Sequence, residues 1–129
     1  MAALALAGCL AASGTAAQEA ETPQERAIGA LTQFAIAYAG WIWEGRCHEL
    51  DAGEHAQFQR VIEADLLALN QVFEPRLVGA ATGSGRETGE AAECGGDNAG
   101  LAAFAMEQAN EVSAAMKGLP PGYRITVTP

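Results

Sequence analysis

The sequence predicts an all-α protein: a small disulfide-linked bundle of three helices, four if the stretch after Pro75 is helical, with a long Gly-rich loop and an extended C-terminal tail. Three observations carry this. Much of the apolar content is alanine, the best helix former, while the aromatic residues that strands favour make up only 6%. Two capping boxes, Thr22-Pro23-Gln24-Glu25 and Asp51-Ala52-Gly53-Glu54, each stand in front of apolar residues at helical spacing. Two cysteines, Cys47 and Cys94, are left to pair once Cys9 is assigned to a leader.

Residues 1–17, MAALALAGCLAASGTAA, form that leader. They are apolar or small, and the first charge in the chain is Glu19. This composition suits an export signal. Two processing routes are open. Leu6-Ala7-Gly8-Cys9 resembles a bacterial lipobox, which would lipidate Cys9 and tether the chain to a membrane. Thr15-Ala16-Ala17 is a small-x-small cleavage site, which would release a chain starting at Gln18. Either route predicts an exported, periplasmic protein, where an even cysteine pair forms a disulfide. Closing that loop should stabilise the fold by about 4 kcal/mol in the chain-entropy model.

Residues 18–21 read as a linker and 22–129 as a single helical domain. Thr22 caps the first helix, Pro23 suits its first position, and the helix should run to about Glu44. Its main apolar stripe is Ile28, Leu31, Phe34, Ala35, Tyr38, Trp41 and Ile42. Asp51 caps the second helix, which should end near Phe73, ahead of Pro75. Its stripe is Phe58, Val61, Ile62, Leu66, Leu69, Val72 and Phe73, with Glu63, Asp65 and Asn70 expected largely off it. Residues 79–100 hold seven glycines and no large apolar side chain, so a partly mobile surface loop is expected there. Asp97 or Asn98 can cap a last helix that ends at Lys117, before Gly118 and the Pro120-Pro121 pair. Its expected buried face is Leu101, Phe104, Ala105, Val112, Ala115 and Met116. The tail YRITVTP alternates like a strand but has no evident partner strand.

The disulfide poses a topological problem. It joins the end of the first helix to the start of the last, which lie at opposite ends of a three-helix up-down-up bundle. Either the Gly-rich loop crosses back over the bundle, or residues between Pro75 and Gly89 form an extra helix.

Function is less legible than fold. With 16 Asp and Glu against 7 Lys and Arg, a net charge of −9 repels a phosphate backbone, so nucleic acid is not an expected partner. The most crowded stretch, WIWEGRCHELDAGEH at 41–55, offers His48 and His55 as weak metal ligands. They lack the H-E-x-x-H spacing and straddle a helix boundary, while Asp51 and Glu54 already have capping work. No nucleophile elbow or phosphate loop is present, so no catalytic residue and no cofactor are expected.

Helix 1 is the more informative segment. From Ala27 to Trp43 it carries no charge. That length is at the lower limit of about 17 residues for a membrane span, and Thr32, Gln33 and two glycines weaken it further. A helix apolar on two sides is commonly the central helix of its own bundle. The alternative is that the face bearing Ile36, Gly40 and Trp43 meets a partner. The expected function is therefore a non-enzymatic cell-envelope module acting by protein–protein contact, with an envelope protein or a second copy as partner. A membrane is expected only through Cys9. A small-ligand or metal binder and a periplasmic stress chaperone are the alternatives. The latter rests on a likeness of plan to the small acid-stress chaperones, and no shared motif carries it.

Overall fold

The computed structural model describes residues 21–125, all helix, turn and loop. The expected leader, with Cys9 and both candidate processing sites, lies outside the described residues, as do residues 126–129 at the end of the tail. Four helices follow in order: α1 Pro23–Cys47, α2 Ala52–Val72, α3 Pro75–Ala91 and α4 Leu101–Lys117, with a 3-10 turn at Gly96–Asn98.

Both expected capping boxes form. Thr22 accepts the Glu25 N–H at 3.1 Å and Asp51 accepts the Glu54 N–H at 2.8 Å, while each glutamate reaches back to the N–H of its cap. Helix α1 runs to Cys47, and His48 ends it in the left-handed region with φ 50°, its N–H donating to the Glu44 carbonyl. Neither Asp97 nor Asn98 caps α4; Gly100 does, in a left-handed conformation, and its N–H donates to the Glu49 carboxylate.

The Gly-rich segment corrects the loop expectation. Residues 75–91 are helical, and two of their glycines are the reason the helix can dock. A Cβ on Gly85 would lie 2.7 Å from the Ala35 carbonyl oxygen, and one on Gly89 would lie 2.8 Å from the Ile42 Cβ. Glycine weakens a helix by about 1 kcal/mol relative to alanine, but here it lets two backbones approach. Gly40 does the same for α4, where a Cβ would collide with Ala105.

These contacts give the topology. Residues 85 and 89 advance along α1 from Ala35 to Ile42, so α3 runs parallel to α1. Gly40 meets Leu101 and Ala105 while Gln33 meets Gln108, so α4 runs antiparallel. The chain goes up, down, up and down. The ends of α1 and α3 then share one end of the bundle, where Cys47 and Cys94 form a disulfide with Cα atoms 5.5 Å apart. The extra helix resolves the topological problem.

The core is built around α1. Ala27, Ala30, Phe34 and Ala37 bury against Phe58, Ile62 and Leu69 of α2 and Ala105, Ala109 and Val112 of α4. The buried stripes of α1 and α4 are thus richer in alanine than expected. Ile28 and Phe104, placed inside by the sequence pattern, are about half exposed. Small residues win because they let the helices close up around the larger side chains. The described part of the tail forms no strand. Ile125 N–H donates to the Val72 carbonyl at 2.8 Å and Arg124 to that of Gln71, capping the end of α2.

Candidate functional site

The outward face of α1 is the candidate site. At about 100° per residue, the positions touching α3 (Ala35, Tyr38, Ala39, Ile42) and those touching α4 (Gln33, Gly40) lie on roughly opposite sides of α1. Helix α2 covers one of the two remaining sides, through Trp41 against Phe58 with ring centroids 5.3 Å apart. The other side bears Ile28, Thr32, Ile36 and Trp43. It is a trough with α1 as floor and α3 and α4 as walls.

One end of the trough is closed. Trp43 is 1% exposed, and its indole N–H donates to the Glu93 carbonyl at 2.9 Å, in the turn that follows α3. Arg46 pins the same turn by donating to the Gly89 and Ala92 carbonyls. The expected partner face of Ile36, Gly40 and Trp43 is therefore corrected. Gly40 lies under α4 and Trp43 under the α3–α4 connection, and only Ile36, 47% exposed, stays open. This is the central-helix alternative for two residues of the three.

Beside Ile36 lies a cleft of about 220 Å³, lined by Ala35, Ile36, Ala39, Gly85, Gly89 and Leu101, with Ser84 and Thr88 as its hydroxyls. Phe104 stands half exposed on α4, next to a shallower depression shared with Leu101 and Asp97. Small residues make the cleft and large exposed ones flank it.

The crowded 41–55 stretch is assembled around a residue that sequence reasoning passed over. Glu44 is 1% exposed. One carboxylate oxygen accepts the N–H groups of Glu49 (2.7 Å) and Leu50 (3.0 Å); the other lies 3.0 Å from His55 Nδ1. Trp41 packs on the His55 ring at 4.9 Å between centroids. This network ties the α1–α2 turn together. His48 and His55 do not share a site: one is an exposed helix cap and the other is bound to Glu44. Among the described residues no three His, Cys, Asp or Glu side chains gather to hold a metal. The spacing Ala37, Trp41, Glu44 was the available signal, because it continues the buried stripe.

Asp65 was misread in the same way. It falls on the stripe Phe58, Ile62, Asp65, Leu69, Val72 and is buried. Ser113 Oγ donates to its Oδ1, and among the described residues Oδ2 has no partner. Burial pushes this carboxyl up to about 6, with the Ser113 hydrogen bond pulling the other way. Asp51 shows the opposite: the Glu54 N–H it accepts holds it below the usual carboxylate range.

Among the described residues no helix is long and apolar enough to cross a membrane. Comparison with protein families, curated proteins and solved structures finds no match, so any functional reading rests on this geometry.

Proposed function

We propose that this chain is an exported, non-enzymatic module of the bacterial cell envelope that acts by protein–protein contact through the open face of α1. The observation that supports it is Ile36, a large apolar side chain left 47% exposed beside an apolar cleft and within the same trough as Ile28. An apolar face of this kind, rimmed by polar groups, is the usual mark of an interaction surface. The cleft, at about 220 Å³, is smaller than the roughly 300–1,000 Å³ of ordinary small-molecule sites. It suits an apolar side chain of a partner better than a free ligand.

Export is supported by the leader composition and is compatible with the Cys47–Cys94 disulfide. The carboxylates near the crowded turn are engaged in the fold: Glu44 in three contacts, Asp51 and Glu54 in a capping box, Glu49 on the Gly100 N–H. That supports a binding role over acid–base catalysis. The test is photo-crosslinking in cells, with the crosslinking residue at position 36 or, as control, at exposed position 67 of α2. A discrete adduct from position 36 alone supports the proposal. Equal labelling from both positions, or none from 36, sinks it.

A further inference from the structure

We infer that the trough takes a short cationic amphipathic helix. The inference rests on the binding role proposed for the α1 face and adds the chemistry of its partner.

The shape argument comes first. The floor from Ile28 to Ala39 covers eleven helical steps, about 17 Å. That is close to three turns of a second helix. A helix laid in such a trough places its apolar residues at i, i+3 or i+4, and i+7. One of them enters the cleft between Ala39, Gly85 and Gly89, and others cover Ile36 and Ile28. Phe104 and Leu101 form one wall.

Charge then selects among occupants. No Lys or Arg lines the cleft or the depression beside Phe104, while Asp97 lines the latter. Glu111 of α4 stands at the trough edge, hydrogen-bonded to Gln33, and Glu107 is exposed one turn from Phe104. Arg26, at the open lower end, is already bonded to Glu21 and the Gly118 carbonyl. A second copy of this chain would bring another −9 against these acids. Residues 1–20 carry no basic side chain to answer them. A helix with Lys or Arg flanking its apolar stripe satisfies both the floor and the rim.

The experiment uses two labelled 14-residue amphipathic peptides of one pattern, one of Leu and Lys and one of Leu and Glu, titrated with the oxidised protein and read by fluorescence anisotropy. The Leu/Lys peptide should bind. Its affinity should fall at least tenfold with Ile36→Asp and, independently, with Phe104→Ser. Leu67→Asp, on α2, should leave it unchanged. Ile36→Asp adds a negative charge, so mere attraction to an acidic surface would be strengthened by it. Circular dichroism establishes that each variant is folded, and Phe104→Ser carries the test if Ile36→Asp is not. Leu/Lys binding that survives both trough variants overturns the inference. Binding of the Leu/Glu peptide in an Ile36-dependent way also overturns it, but leaves the open face standing as the interaction surface.

Discussion

Glu44 and Asp65 are both carboxylates 1% exposed in the same bundle, yet their surroundings differ in kind. Glu44 sits where α1 ends, so the unpaired N–H groups of the following turn point at it, and His55 completes the set. Asp65 sits mid-helix, where neighbouring N–H groups are already used in the helix ladder. It finds only the Ser113 hydroxyl, on the facing α4. A buried acid at a helix end becomes a fastener, and one in a helix middle becomes a liability. Backbone donors decide which.

Breaking the fastener should give the largest effect. Glu44→Ala leaves two N–H groups and His55 without their acceptor, and should destabilise the fold by about 3 kcal/mol, read from urea midpoints. A loss under about 1 kcal/mol would mean water replaces the carboxylate, and the comparison would fail.

Asp65→Asn should act in the opposite direction, stabilising by about 1 to 2 kcal/mol at pH 7.5. The sign follows from a folded-state value of about 6, above the unfolded 3.8. Stability tied to the protonated acid is fully present below 3.8 and is lost as pH rises through about 6. The gain from Asp65→Asn should therefore shrink as pH falls across that window and vanish below it. A pH-independent gain would mean that something other than the buried charge is being relieved.

Ser113→Ala should cost about 1 kcal/mol at pH 7.5, since it strips a buried carboxylate of its one donor. The loss should be smaller at pH 4, where the acid is neutral. Asp51→Asn, at an exposed cap, should have the smallest effect, seen as a slight drop in melting temperature. Asp51 has the opposite sign, its value being lowered on folding, so its contribution is present above 3.8 and fades below it. A difference between parent and variant that stays constant from pH 5 down to 3 would remove Asp51 from the acid side of the stability curve.

Much of the fold was legible because local signals agreed. Thr22, Pro23 and Glu25, then Asp51 and Glu54, place two helix starts to the residue, since a capping box depends only on neighbours. The Cys47–Cys94 pair was readable by elimination. The site was legible only in part. Ile36 was identifiable as an apolar residue off the main stripe, whereas the fates of Gly40 and Trp43 depended on Ala105 and Glu93, the latter 50 positions from Trp43 and the former farther still from Gly40.

By itself, then, the chain determines where the first two helices begin, its acidity and its disulfide partners, all properties of short windows or of counting. Tertiary structure alone decided that residues 75–91 are a helix, that Glu44 and Asp65 lie inside, and that one half of the second face of α1 is sealed while the other stays open. The physical reason is the same in each case. Glycine and buried acid are both unfavourable in an isolated helix, and only a specific neighbour changes the balance: the α1 backbone against Gly85 and Gly89, the turn N–H groups around Glu44, the hydroxyl of Ser113.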